Sequence, residues 1–259
     1  RICCSRRNLI ENISTNLFVM RGFLFFTLLL LITFVLVIQF KLPSRQNSLQ
    51  DFNYPNFVNF KPGVQRLRDG TVEVSSLVNM LDVTSNMFNW WFSDYLQTSE
   101  HYKMWHPEDH IWMDWDHKEP GKIIGSHHLV HEYIGGELNK LRIQFAWPQE
   151  ILGYDPNDEN TVVLCARVGE LDSSLNIAEM CHVAQNTSSG VELRSRFWLG
   201  VVSDREAADW QNFLLSFVVN NPISRRLTVS EAQGIALQKH CIEEMSYLAD
   251  LLPTIYNLK

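Results

Sequence analysis

The sequence predicts an α+β fold in which a curved antiparallel sheet wraps a cavity and a long C-terminal helix closes that cavity. Strand-like runs follow one another between residues 128 and 202 and are separated by short turns rich in glycine. After residue 203 the apolar side chains recur at helical spacing instead. The hydrophobic fraction of 46% supports a true core, and 259 residues suit one main domain.

The first elements are predicted from turn and capping signals. Residues 64–67 and 71–78 read as two strands joined by an Asp69-Gly70 turn. A helix should follow, capped by Asp82 or Thr84. The expected apolar stripe of this helix consists of Met87, Phe88, Trp91 and Tyr95.

The middle of the chain reads as sheet. Residues 128–134 and 138–145 flank Gly135-Gly136 and predict one hairpin, and a β-rich run covers 161–168. Residues 177–185 and 191–202 read as two further strands and predict a second hairpin.

The end of the chain reads as helix. A capping box from Ser203 to Glu206 predicts a helix that stops before Pro222. A second capping box from Thr228 to Glu231 predicts a long helix that runs to about Leu252.

The chain before residue 61 divides into three segments by composition. Residues 1–21 are basic. Met20 stands directly before the apolar run, so it stays open whether the residues before it belong to the native protein. Residues 22–40 carry no charge and are long enough for a bilayer core of ~30 Å, which predicts a transmembrane signal anchor. Residues 41–60 read as a linker to the main domain at 61–259.

The arginines before the apolar run predict a membrane protein whose main domain is lumenal or extracellular, or secreted if the anchor is cleaved. Residues 46–259 carry 16 basic and 28 acidic groups, which leaves a net charge of −12. Such an acidic domain argues against nucleic-acid binding, because neutralisation of phosphate dominates that affinity. Cys165, Cys181 and Cys241 match no zinc-ribbon or disulfide pattern and are interpreted as small buried hydrophobes.

Histidines are concentrated in the segment 101–131, which holds seven of the nine in the chain. Neutral imidazole and carboxylate are common zinc ligands, so this crowding indicates a metal site. Alternation on the strand 128–134 turns Glu132 inward, and the strand 177–185 places His182 on an inner face. In the last helix, His240 and Glu244 stand four residues apart on one apolar stripe.

Each of these residues also has an interpretation without a metal. His182 alone reads as a core histidine, and His240 with Glu244 as a solvated helical pair. Glu132 has two alternative partners in Arg142 and Arg194. His106 and His110 are alternatively surface residues of a loop.

At these residues the sequence resembles the zinc-dependent 2,4-diacetylphloroglucinol hydrolases and the related phloretin hydrolases. The resemblance covers roughly residues 60–255. Its matching pieces are Tyr102-Lys-Met-Trp-His-Pro-Glu-Asp-His110, His131-Glu-Tyr-Ile-Gly-Gly-Glu137, Glu179-Met-Cys-His182, Arg194-Ser-Arg-Phe-Trp-Leu-Gly200 and His240-Cys-Ile-Glu-Glu244.

The resemblance implies a Bet v 1-like (START-like) cavity fold that binds Zn²⁺ through two histidines and two glutamates. The ligands that it implies are His110, Glu132, His182 and Glu244. His106 and Glu137 stand as competitors of His110 and Glu132, and Glu243 is a weaker rival of Glu244. Tyr102 and His240 match the polar groups that the family places near its substrate.

The implied function is hydrolysis of a carbon–carbon bond between an acyl group and a carbon of a phloroglucinol-type ring or another β-diketone. The substrate that the resemblance implies is a small phenolic or β-diketone molecule. A non-catalytic cavity protein that binds lipophilic ligands is the alternative, and a third hypothesis is an iron oxygenase that uses two histidines and one carboxylate. The natural substrate, the oligomeric state and the group that activates water are left open.

Overall fold

The structure is a computed structural model that describes residues 25–27, 30, 42–52, 57, 60–154 and 158–258. The chain divides into two units, Arg1–Pro43 and Ser44–Lys259. The second unit carries the secondary structure discussed below.

The described residues of this unit form eight strands and several helices, which are numbered in chain order. The strands are β1 (Gly63–Arg66), β2 (Val72–Leu81), β3 (His110–Asp116), β4 (His127–Ile134), β5 (Glu137–Ala146), β6 (Thr161–Glu170), β7 (Leu175–Asn186) and β8 (Gly190–Asp204). The helices are α1 (Arg45–Asp51), α2 (Ser85–Trp90), α3 (Ser99–Trp105), α4 (Pro148–Leu152), α5 (Asp209–Val219), α6 (Pro222–Thr228) and α7 (Glu231–Tyr256). A π-helical turn at Trp91–Tyr95 extends α2.

The strands form one antiparallel sheet in the order β1-β2-β8-β7-β6-β5-β4-β3. The predicted pair β1–β2 and the hairpins β4–β5 and β7–β8 are therefore confirmed. The prediction of a curved antiparallel sheet with a long C-terminal helix is confirmed as well.

Side chains on the two faces of the sheet build two apolar clusters. Phe197 belongs to the first cluster and Trp198 to the second, because consecutive strand residues point to opposite faces. The first cluster also contains Leu248 of α7, and the second contains Phe52 at the end of α1. The sheet is thus covered on both faces, and the candidate site lies on the face that α7 covers.

Helix α7 approaches the sheet closely at Gly234. A Cβ atom at this position would lie 2.8 Å from Val64 Cγ1 and 2.9 Å from Val72 Cγ1.

The helix begins at Ser230, whose hydroxyl accepts a hydrogen bond from the Gln233 amide. The effective capping box is therefore Ser230 with Gln233, two residues beyond the predicted one.

Other boundaries also differ from prediction for local reasons. Helix α7 continues past Pro253, because its last turn packs Tyr256 against Trp90 with ring centroids 5.0 Å apart. The predicted cap at Ser203 is wrong because this residue still belongs to β8, and the following helix begins at Asp209. Elements β3, α3, α4 and α6 were not predicted.

Part of the predicted linker is folded. Helix α1 lies within it, and Ser44 caps this helix by accepting a hydrogen bond from the Asn47 amide. Ser48 and Phe52 are buried, and Trp198 donates a hydrogen bond from Nε1 to Ser48 Oγ at 2.8 Å. The segment is ordered because it covers an apolar face of the sheet.

Cys165 and Cys181 face each other across β6 and β7 and form a disulfide. The interpretation of these two residues as unpaired small hydrophobes is therefore wrong. Cys241 is free and buried, as expected.

The membrane prediction is wrong. Among the residues that the structure describes, no helix is both long enough and apolar enough to cross a bilayer, which requires about 20 apolar residues. This finding overturns the expected transmembrane signal anchor at 22–40 and the expected single-pass location. Most of residues 22–40 lie outside the described part of the chain.

Candidate active site

Four predicted side chains meet between the sheet edge and α7. His110 begins β3, and Glu132 lies opposite it near the end of β4. His240 and Glu244 project from one face of α7 toward this strand pair. All four are buried. The inward alternation of β4 predicts this for Glu132, and the apolar stripe of α7 predicts it for His240 and Glu244.

His110 presents an unpaired nitrogen to the two glutamates. Its Nδ1 donates a hydrogen bond to the Tyr102 carbonyl at 2.9 Å, because a carbonyl oxygen only accepts. Its Nε2 is buried without a hydrogen-bond partner, 3.6 Å from Glu244 Oε2 and 3.8 Å from Glu132 Oε2. Burial lowers the pKa of His110 to about 4, so the ring is neutral and Nε2 carries a lone pair.

The two carboxylates have different surroundings. The Tyr102 hydroxyl donates a short hydrogen bond to Glu132 Oε2, and the Tyr102 ring stacks on His110 with centroids 3.7 Å apart. Burial raises the pKa of Glu244 to about 7, although His240 and His106 act against this shift. Burial and the Glu132 carboxylate raise the pKa of Tyr102, which therefore stays a neutral phenol and a donor.

His240 lies between these carboxylates and a third acid. Its Nδ1 is 3.1 Å from Asp109 Oδ2, and its Nε2 is 3.9 Å from Glu132 Oε2 and 4.0 Å from Glu244 Oε2. Burial opposes the charged form of His240, but the three carboxylates outweigh burial and raise its pKa. His106 stacks on the His240 ring with centroids 5.3 Å apart.

His182 is buried on the inner face of β7, as predicted, and its ring contacts residues of β8 and α2. Its Nδ1 lies 2.7 Å from Ser195 Oγ, and its ring meets Phe88 and Phe197 edge-on. Burial lowers its pKa to about 4. Within the described chain, the group of donor atoms around His110 contains His240 and Glu244 rather than His182.

The alternatives for the glutamate position can be compared directly. Glu137 is exposed at the start of β5, whereas Glu132 is buried beside His110. Arg142 donates hydrogen bonds to the carbonyls of Glu170 and Ser173 and is therefore not the partner of Glu132. Arg194 also bonds elsewhere, to Gln185 and Glu192.

A pocket of about 230 Å³ adjoins the site. His240, Asp109, His106 and Tyr247 are among the residues that line the pocket. Sequence reasoning missed Asp109, although it stands inside the quoted piece that ends at His110. It also missed Gly135 and Gly136 as lining residues, because their turn was read solely as a hairpin signal.

Fold and site together define an α+β protein whose buried histidines and glutamates form a site of the kind that binds a metal ion. A family model described as DAPG hydrolase PhiG domain matches residues 42–257. The chain belongs to the DAPG hydrolase family. The prediction of an enzyme, a carbon–carbon bond hydrolase of the 2,4-diacetylphloroglucinol hydrolase type, is confirmed by this membership.

Two relatives illustrate this similarity. The phloretin hydrolase of Eubacterium ramulus is 30% identical over 198 residues, which cover 73% of this chain and 68% of the relative. A 2,4-diacetylphloroglucinol hydrolase of Pseudomonas sp is 25% identical over 226 residues, which cover 81% of this chain and 76% of the relative.

Solved structures are more distant. The major latex-like protein 151 of Panax ginseng is 13% identical, covers 63% of this chain and 97% of its own, and has a TM-score of 0.35. The Zhui aromatase/cyclase of Streptomyces sp. R1128 is 14% identical, covers 69% and 94%, and has a TM-score of 0.36. Scores at this level carry no argument about the fold, so the Bet v 1-like name stays a prediction.

Proposed function

We propose that this protein is a zinc-dependent hydrolase that cleaves the bond between an acyl group and a carbon of a phloroglucinol-type ring or another β-diketone. The names of the relatives, phloretin hydrolase and 2,4-diacetylphloroglucinol hydrolase, support the substrate class. The observation that carries the metal is His110 Nε2, a buried lone pair facing two buried carboxylates. A Bet v 1-like cavity fold is part of the same proposal.

The side chains fit a zinc ion. Two carboxylates and neutral imidazoles are zinc donors, and buried carboxylates are costly unless a cation or a proton compensates them. Tyr102 donates to Glu132, and its backbone carbonyl holds Nδ1 of His110, so the outer hydrogen bonds orient two ligands. When bound, zinc would supply Lewis-acid polarisation of a substrate oxygen and stabilise the negative charge that develops there.

We assign His110, Glu132, His182 and Glu244 as the zinc ligands. His182 is favoured over His240 because of where the two rings lie. His182 is buried outside the set of residues that line the pocket, and the contact of its Nδ1 with Ser195 leaves Nε2 for a metal. His240 lines the pocket itself, where a substrate would meet it.

His240 and Tyr102 then have separate roles in catalysis. His240, held by Asp109 at Nδ1, delivers a proton from Nε2 to the ring carbon while a ring hydroxyl releases its proton to solvent, so that the aromatic substrate becomes its keto tautomer. Tyr102 stays protonated and donates its hydrogen bond beside the reacting oxygens. Water adds to the acyl carbonyl and releases one proton to solvent. The carbon–carbon bond then breaks, its electron pair stays on the ring as an enolate, and the acyl group leaves as a carboxylic acid. The enolate takes up a proton from solvent to become the phenol.

Acid release from an acylated phloroglucinol, measured beside zinc content, tests this proposal. We expect His182→Ala and Glu132→Gln each to lose one equivalent of zinc and all turnover, because each removes a ligand. His240→Ala should keep its zinc and lose turnover. Glu137→Gln is the matched control for Glu132→Gln and should behave as wild type.

Two outcomes would contradict the proposal. Zinc lost from His240→Ala but kept in His182→Ala would replace the ligand assignment by the grouping of His110, His240 and Glu244. A wild-type protein that binds zinc but releases no acid from acylated phenols or from simple β-diketones would reject the substrate class.

A further inference from the structure

A second cluster of donor atoms lies at the other end of the β3–β4 pair. It consists of Asp116, His117 and His127 and is called the edge cluster here. Asp116 ends β3 and pairs with His127 at the start of β4, whereas His110 and Glu132 pair at the opposite end. The edge cluster shares no residue with the candidate active site.

The spacing of the donor atoms suits a tetrahedral ion. Asp116 Oδ2 lies 3.3 Å from His117 Nε2 and 3.6 Å from His127 Nδ1, and all three donor atoms lie within 4.8 Å of one another. Zinc bound at ~2.0–2.1 Å in a tetrahedron holds its ligand atoms about 3.3 Å apart. Small rotations of exposed side chains therefore bring the cluster to coordination distance.

His127 independently indicates a missing partner. Its side chain is 8% exposed, and its Nδ1 is buried without a hydrogen bond, because 3.6 Å to Asp116 is too long for one. An unsatisfied buried polar atom costs about 1–3 kcal/mol. A cation bound to Nδ1 and to the Asp116 carboxylate would remove that cost.

The backbone conformation of His117 also supports a ligand site. His117 has a φ of +56°, in the left-handed region that non-glycine residues rarely occupy. This conformation holds the His117 ring 5.0 Å from the His127 ring. Non-glycine residues held in this region cluster at active sites and ligand clamps.

Positive charge near the cluster acts against a cation. Arg205 and Arg142 lower the pKa of His127 further, after burial and His117. Arg205 is itself paired with Glu206 at 3.3 Å, and the exposed side of the cluster is screened by solvent.

We propose that Asp116, His117 and His127 bind a divalent transition-metal ion such as zinc, with water as the remaining ligand. The ion joins the end of β3 to the start of β4 across the connection 117–126. Because β3 is the edge strand of the sheet, this clip stabilises the pair that carries His110 and Glu132 at its other end. The role of the ion is structural.

Metal titration of the full chain tests the proposal. The protein is stripped of metal, titrated with Zn²⁺ and with Co²⁺, and compared with His117→Ala and Asp116→Asn. Both substitutions are at exposed positions, so the fold should survive. We expect each variant to bind one equivalent fewer than wild type and to gain less in melting temperature from zinc.

The matched control is His131→Ala. His131 lies on β4, like His127, but its ring packs against Trp112. This variant should bind as many equivalents as wild type. His110→Ala should lose a different equivalent and keep the one that His117→Ala loses, which separates this site from the catalytic one. Equal stoichiometry in wild type and His117→Ala, or an affinity no tighter than millimolar, would overturn the proposal.

Discussion

At the scale of single residues, Tyr102 connects His110 and Glu132, two of the proposed zinc ligands. Its carbonyl accepts from His110, its ring stacks on the same imidazole, and its hydroxyl donates to Glu132. The side chain is 1% exposed, so water cannot replace the hydroxyl without rearrangement. Its position makes Tyr102 both an orienting group and a donor.

We expect Tyr102→Phe to lower turnover by about 100-fold, because general acid–base and hydrogen-bonding groups contribute effects of that order. Zinc content should remain, since the ligands themselves are intact. Tyr133→Phe, at a more exposed position beside Glu132, is the control and should leave turnover unchanged. Steady-state rates and metal analysis of both variants check this prediction, and unchanged turnover in Tyr102→Phe would contradict it.

Glu244 gives a prediction about pH. Burial raises its pKa from 4.5 to about 7 in the metal-free fold. A carboxyl with a raised pKa binds its proton more tightly when folded, so its contribution to stability is complete below pH 4.5. That contribution is lost as the pH rises through about 7.

In zinc-free protein, Glu244→Gln should therefore raise the melting temperature at pH 8 by on the order of 5 °C and change it little at pH 5. The reason is that glutamine resembles the protonated acid but cannot become a buried charge. Glu243→Gln is the control, because Glu243 pairs with Lys239 at the surface. An equal shift at both pH values would show that the charge of Glu244 is not responsible.

At the scale of elements, the features that depend on the local pattern of residues could be predicted from the sequence. Alternation on β4 turned Glu132 inward, and the helical stripe of α7 placed His240 beside Glu244, as the structure shows. Strand β3 was missed because its residues pair with β4 only after a connection of ten residues, 117–126, without a short turn signal. Asp109 was missed for a related reason, since its contact with His240 joins residues far apart in sequence.

The contact between α7 and the strands β1 and β2 depends on Gly234. An alanine there would improve helix propensity by about 1 kcal/mol. Its Cβ would, however, lie within 3.1 Å of methyl groups on Val64, Val72 and Val74. Overpacking of this kind costs about 1–3 kcal/mol, so the loss should exceed the gain.

We therefore expect Gly234→Ala to lower the free energy of unfolding by about 1–2 kcal/mol, measured by denaturant titration. Ile235→Ala changes the next residue, which is 60% exposed, and should alter that free energy by less than about 0.5 kcal/mol. A more stable Gly234→Ala protein would mean that α7 can move away from the sheet without cost.

At the scale of the whole molecule, the sheet has to be covered on both faces, and composition does not reveal what covers the second face. The polar residues of 41–60 read as a linker, yet Phe52 from this segment packs edge-on against Trp198 with centroids 6.3 Å apart. Arg196 reaches the same segment through the Ser48 carbonyl. The family match from residue 42 agrees with a fold that includes this segment.

Phe52→Ala tests whether this segment belongs to the cooperative fold. Phe52 is fully buried in the second apolar cluster, so its truncation should cost about 3–5 kcal/mol. Leu138→Ala removes a side chain that is 50% exposed and should cost far less. Zinc content and turnover of folded Phe52→Ala should match wild type, because Phe52 lies on the face of the sheet opposite the candidate site. If Phe52→Ala unfolds at the same denaturant concentration as wild type, the segment is a separable appendage and the face behind Trp198 contributes little to stability.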